Sequence, residues 1–343
     1  MKLKSQLAKE YISGNKSILS LIIFTGLIRG CISFLLPVSI GEFFSLQFNA
    51  GSSKGRLLQL LGIHFSTLQA FFLFFLLLLL LKGVISLAEQ WMSLKEGEKF
   101  VRLIREKLFT AQLNQDAAVF QRRAYGNYLL RYSNDLRAVR NYLLRGILGS
   151  YKDSLFLVIG FVLLGMIHFQ LTMYLIILFM IFLAGIYFLT KYQKRFIQKS
   201  RDKRSGLLAF VTKSFSRYGR IKEHNDEEAI IGRFNEKSGY LFEANMKNNR
   251  LESIQESLIP FLQYAMLGGL LFLSTIVSPG IVHGDALVFV LVMLMLFSAM
   301  RRILKVPGIL TKGNISLQKI ETLMRERAES EMISRKEIIL VEE

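Results

Sequence analysis

Two basic side chains lie inside long apolar runs of the sequence: Arg29 within Ile18–Phe44 and Lys82 within Leu68–Leu87. A charge in such a run is costly to hold in hydrocarbon and ordinarily faces protein or water. If they line a cavity, these two favour an anionic cargo, such as a lipid phosphate or an acidic peptide. The structural alternative is an ion pair with Glu89 or Glu42, or a side chain that snorkels to the interface. Other constellations carry less chemistry. His64, His168 and His283 have no carboxylate spacing that supports metal ligation. The run Asp226-Glu227-Glu228 could hold a cation, but it reads better as the start of a short helix with acids at its positive end. Arg131 and Asp135 stand four apart, as a catalytic acid and its partner would. No nucleophile or second carboxylate accompanies them, so a weak pair on a helix surface is expected. Cys31 is the one cysteine, which excludes intramolecular disulfides and thiolate metal clusters.

A phosphate-binding loop is missing too. The pattern G-x-x-x-x-G-K-[ST] needs glycine amides to cradle phosphates and a lysine to neutralise them. The 25 glycines include no Gly-Lys dipeptide, and Gly268-Gly269 falls in an apolar run. The chain alone is not expected to hydrolyse ATP or to hold a cofactor.

The elements that must position these residues are apolar helices. Of 343 residues, 52% are hydrophobic, and the apolar ones gather in six windows. These are Ile18–Phe44, Leu68–Leu87, Leu155–Phe169, Leu171–Leu189, Leu258–Val277 and Ala286–Met300. About 20 apolar residues match a hydrocarbon core of about 30 Å, and the shorter windows extend into amphipathic flanks. Forty of the 44 Lys and Arg lie in residues 1–16, 95–152, 191–250 and 301–343. Positive segments stay cytoplasmic, so both termini and two long loops are expected on the cytoplasmic side of the cell membrane. The formal charge of +18 then reports topology and contact with anionic headgroups, not nucleic acid. The expected class is an all-α, multi-pass membrane protein of six long helices that extend into the cytoplasm.

Each inner segment reads as a continuation of helices, not as a soluble domain. Leu129, Tyr132, Leu136, Val139 and Leu143 recur at intervals of three and four, which is one helix face. Turn signals fall at Ala124-Tyr125-Gly126 and at Glu223-His224-Asn225-Asp226, giving two cytoplasmic tips. The run Phe71–Leu81 is expected to face lipid more than cargo.

Four stretches resemble the transmembrane domain of ATP-binding cassette (ABC) exporters. "LLPVSIGEFFSL" (Leu35–Leu46) is similar to the proline-then-glycine stretch ending the first span. "VFQRRAYGNYLLRYSNDLRAVRNYL" (Val119–Leu143) resembles the first inner tip, with Phe120, Gly126, Arg131 and Asp135 in corresponding positions and Val119 in place of an aromatic. "RIKEHNDEEAIIGRFNE" (Arg220–Glu236) resembles the second tip, and "SLQKIETLM" (Ser316–Met324) the exit from the sixth span. The likeness covers roughly residues 5–325. It implies that the tips are coupling helices seated in nucleotide-binding domains that hold ATP and Mg. The expected contact residues are Phe120, Arg122, Arg123, Tyr125 and Gly126 in the first, and His224, Asp226, Glu227 and Glu228 in the second. It also implies a homo- or heterodimer that exchanges its fourth and fifth spans.

The expected division is an amphipathic lead (1–16), a six-helix domain (17–325) and a linker (326–343) toward an ATPase domain absent from the chain. The function expected is the membrane-spanning subunit of an ATP-driven exporter. The alternatives are an ATP-independent six-span carrier, or a scaffold that retains the exporter shell without transport. No discontinuous, Gly/Pro-broken helix pair marks the midplane ion site a carrier would use.

Overall fold

Leucine-rich segments with few backbone breakers give helices of great length. The computed structural model describes residues 6–48, 67–115, 128, 131–277 and 283–342. A short helix α1 (Gln6–Gly14) precedes α2 (Lys16–Phe48). Helix α3 (Leu68–Leu113) follows, its first turn capped by Thr67, whose Oγ1 accepts from the Ala70 N–H at 3.3 Å. A π-helical turn at Arg131–Asp135, helix α4 (Leu136–Asn141), a second π-helical stretch at Tyr142–Leu148 and α5 (Gly149–Ile167) run on without a gap. His168 breaks the chain, and its ring Nδ1 accepts from the Leu171 N–H to cap α6 (Phe169–Phe215). Then come α7 (Tyr218–Glu223), α8 (Glu227–Val277) and α9 (His283–Glu342). Six of the described helices are long and apolar enough to cross a membrane, as the hydropathy windows predict. At 1.5 Å per residue, the 51 residues of α8 reach about 75 Å, far beyond one bilayer.

Two apolar cores stack along the helices. The upper one joins Phe34 and Val38 of α2, Leu157 and Leu164 of α5, Leu175 of α6, Leu262 of α8 and Met293 of α9. The lower one lies at the basic ends and joins Leu19 with Phe100 and Ile104 of α3, Val139, Tyr142, and Leu317 and Ile320 of α9. We call this lower part the stem. Leu136, Val139 and Leu143 are fully buried in it, as their spacing requires. Within the upper core, α5 approaches α9 so closely that a Cβ at Gly160 would collide with Leu296. Within Phe71–Leu81, Phe72, Leu73, Leu76 and Leu77 are exposed on α3, while Phe71 and Leu78 are buried.

Helices α6 and α8 form an antiparallel pair in constant register. Gln255 donates to Thr190 Oγ1 at 3.1 Å and Gln193 to Asn248 Oδ1 at 3.1 Å. Ser200 meets Asn245 at 2.5 Å, and Lys203 lies 4.8 Å from the Tyr240 ring centroid. The residue numbers of each pair add to nearly the same total, so the two rods do not slip past one another.

The N-terminal lead docks on the stem through Tyr11 of α1. Its hydroxyl donates to the buried Glu96 carboxylate at 2.9 Å. Burial first, then the hydrogen bond and charge of Glu96, holds the Tyr11 hydroxyl well above its usual pKa, so it stays a donor. Hydrogen bonds to charged groups contribute about 1.5–3 kcal/mol. Tyr11→Phe should therefore lower the melting temperature visibly while leaving the helical content intact; an unchanged melting curve would show that α1 is not anchored this way.

Candidate functional site

The second tip is built by the lower ends of α6 and α8. Helix α6 stops at Phe215, and α7 supplies a single turn and a half before the chain reverses at His224–Asp226. Asn225 takes φ 53°, a left-handed conformation that asparagine tolerates better than most residues. The Asp226 N–H donates to the Ile221 carbonyl at 3.1 Å, and His224 Nδ1 lies 3.0 Å from the Arg220 carbonyl as its donor. Lys222 binds Glu227 at 2.7 Å, and that hydrogen bond raises the lysine's pKa, so the pair is ionised at neutral pH. Glu227 and Glu228 do lie in a first helical turn. The helix they begin is α8, however, and not the short one expected; it runs on to Val277 and passes through Pro260 on the way. The compact helix at this tip is α7, upstream of the reversal. Sequence reading missed it because Tyr218–Glu223 has no apolar periodicity; none of its residues is buried.

A cleft of about 530 Å³ opens between these ends. Lys213, Arg217, Arg220, Arg233 and Lys237 line it, with Asp226 as the acidic member. The tip is thus an exposed, strongly basic knob on a rigid two-helix rod. Phe120, Arg122, Arg123, Tyr125 and Gly126 of the first expected tip lie outside the described residues.

The stem above that first tip holds a buried charge cluster. Arg131 pairs with Asp135, whose side chain is only 8% exposed. The expected surface pair is therefore a core pair. The reason is tertiary: α9 covers the π-helical turn, and Ser316 Oγ donates to Asp135 Oδ1 at 2.8 Å. Arg201 of α6 donates to Ser316 at 2.7 Å and stands 3.6 Å from Asp135. Two stretches singled out in the sequence, around Asp135 and Ser316, meet here across 181 residues.

A second charged tier separates the two apolar cores. Glu89 of α3 is buried and accepts from Arg29 at 2.5 Å and from Lys152 at 2.6 Å. One turn away, Asp153 takes a two-pronged bond from Arg302, with Nε at 2.9 Å and Nη2 at 2.6 Å. Glu89 is 21 residues from Leu68, Arg29 is 19 from Phe48, and Arg302 is 19 from His283. At 1.5 Å each, the tier lies about 30 Å from those three helix ends, while Lys152, 15 residues from Ile167, lies about 22 Å from the end of α5. Leu19, three turns before Arg29 in α2, already belongs to the stem core, so Arg29 stands between the two apolar cores. Its ion pair with Glu89 is the structural alternative realised. Lys82 lies two turns nearer the apolar end of α3, half-buried, and does not line the cavity beside Arg29. The sequence singled out neither Lys152-Asp153 nor Arg302 as site residues. Their signal was position, just outside the apolar windows at Leu155 and Met300.

The comparisons agree with this architecture. Over 146 residues, 40% of its length, the chain is 23% identical to ABC transporter B family member 1 of Dictyostelium discoideum. That stretch spans 16% of the relative's own length. A family model described as the ABC transporter transmembrane region matches residues 19–300, most of the chain and five helices with the start of the sixth. The chain belongs to the ABC transporter transmembrane region family.

Proposed function

We propose that this chain is the membrane-spanning subunit of an ATP-driven exporter, forming the cargo pathway and moved by nucleotide-binding domains on which ATP and Mg are held. The observation that carries the reading is the α6–α8 rod with its basic tip. A pair locked in register from Thr190–Gln255 to Lys203–Tyr240 transmits a displacement at one end to the other. Basic segments on one side of the apolar windows favour cytoplasmic termini and tips in the cell membrane. In this reading His224, Asp226, Glu227 and Glu228 face an ATPase domain at the second tip, and Phe120, Arg122, Arg123, Tyr125 and Gly126 at the first. A second transmembrane subunit completes the pathway by exchanging the α6–α8 pair. Support for that exchange is the pair's own exposed apolar surface, including Phe188, Phe261 and Tyr264.

The test is co-expression with a candidate ATPase domain. Co-purification and cargo-stimulated ATP hydrolysis are expected. Arg122→Glu with Arg123→Glu, reversing two charges at the first tip, should abolish the stimulation while leaving the protein folded. Hydrolysis that stays coupled to transport in this variant would remove the tip from the mechanism.

A further inference from the structure

The charged tier walls a cavity of about 490 Å³ whose cations outnumber its acids. Five basic side chains line it, Arg29, Arg145, Lys152, Arg302 and Lys305, against the two carboxylates of Glu89 and Asp153. Both acids are already committed. Glu89 holds Arg29 and Lys152, and Asp153 holds Arg302. Arg145 is exposed and has no ion-pair partner among the described residues. Lys305 reaches only a loose, exposed contact with Glu256 at 3.5 Å. Arg302 keeps 53% of its side chain exposed despite its fork on Asp153. Arg145, Lys305 and the free edge of Arg302 therefore leave positive charge open to an incoming anion beside two carboxylates that are already committed.

We propose that this cavity binds the phosphate of an anionic membrane lipid, with Arg145, Lys305 and the open edge of Arg302 as its donors. Guanidinium and ammonium groups match phosphate oxygens in geometry and charge. The lipid source, as against free phosphate, follows from the depth and the flank. The tier lies about 20–30 Å along its helices from their far ends, comparable to a hydrocarbon core, which suits a headgroup layer. Beside Glu89 and Gln90 on α3, Leu87 is 71% and Trp91 65% exposed, and Tyr151 is exposed next to Lys152. Tryptophan and tyrosine mark membrane interfaces, and the leucine offers an apolar surface for an acyl chain. The inference rests on the reading of the chain as a membrane subunit, but not on its being coupled to an ATPase.

The experiment is a lipid titration of the purified full chain, without any ATPase partner, read by native mass spectrometry. Phosphatidic acid should bind at least about 10-fold more tightly than phosphatidylcholine, the ratio that one charge-assisted hydrogen bond supplies. Arg145→Gln with Lys305→Gln should erase that preference. Arg102→Gln with Lys107→Gln, which removes two stem cations outside the cavity, should retain it. If the double cavity variant fails to fold, Arg145→Gln alone is read in its place, as that residue gives up no ion pair. Equal binding of the two lipids, or a preference that survives in the cavity variants, overturns the proposal. So does displacement of phosphatidic acid by millimolar inorganic phosphate, which would mark a soluble-anion site. A failed ATPase co-purification would leave this titration unaffected, so the two readings fall separately.

Discussion

Glu89→Ala is expected to destabilise the protein by about 3–5 kcal/mol, the cost of stranding buried charge when one partner of a pair is removed. Glu89 is 3% exposed and is the shared acceptor of Arg29 and Lys152. The Lys152 side chain is itself only 14% exposed, so water replaces the lost carboxylate poorly. Three helices, α2, α3 and α5, would then bring two like charges together with nothing between them. Glu89→Gln should be milder, because the amide oxygen still accepts one bond. The decisive comparison is the triple variant Glu89→Leu, Arg29→Met, Lys152→Met. Replacing a whole buried ionic group by apolar residues of similar volume is often neutral. It should therefore melt close to the unaltered protein, while Glu89→Ala melts far below. If Glu89→Ala keeps its full heat resistance in size-exclusion thermostability measurements, the tier is wetter than its burial implies.

That contrast between a group and its members explains what was legible in the sequence. The six spans are local: about 20 consecutive residues decide each, so hydropathy finds them without knowing the neighbours. The helix face of Leu136, Val139 and Leu143 is local in the same way, and all three are buried. Charge partners are not local. Glu89 and Arg29 are 60 residues apart, and whether they meet depends on how α2 and α3 slide along each other. In the sequence, Arg29 lies inside the apolar run Ile18–Phe44. The packing of Leu19 with Phe100 and Ile104 assigns that first part of α2 to the stem and brings Arg29 to the boundary. Lys152 and Arg302 were visible only as topology charges, because their excess over Glu89 and Asp153 appears once four helices are assembled. At the second tip, Asn225 gave away the reversal, since a residue that tolerates positive φ stood beside acids suited to a helix start. Helix α7 gave no such signal, as its stability comes from its place between two rods and not from a buried face.

The stem cluster predicts the second large effect. Were Arg131 and Asp135 a surface pair four apart, Asp135→Ala would cost about 0.3–0.5 kcal/mol. In the buried cluster it should cost about 3–5 kcal/mol, since Arg131 and Arg201 would face each other without their shared acid. Arg131 Nε is already buried without a partner, so this arginine has no spare bond to fall back on. Ser316→Ala removes a donor to the Asp135 carboxylate and an acceptor for Arg201 without stranding the charges themselves, and should cost less, about 1.5–3 kcal/mol. Arg201→Met in the Asp135→Ala background should recover much of the loss, because the like-charge contact goes with it. Beyond stability, the cluster ties α9 and α6 to the π-helical turn leading from the first tip. Hydrogen exchange should therefore quicken in both helices around Arg201 and Ser316 in Asp135→Ala, while the upper core near Leu164 and Met293 keeps its protection. A loss confined to the turn itself, with α6 and α9 unchanged, would show that Asp135 holds its own helix and not the junction of three.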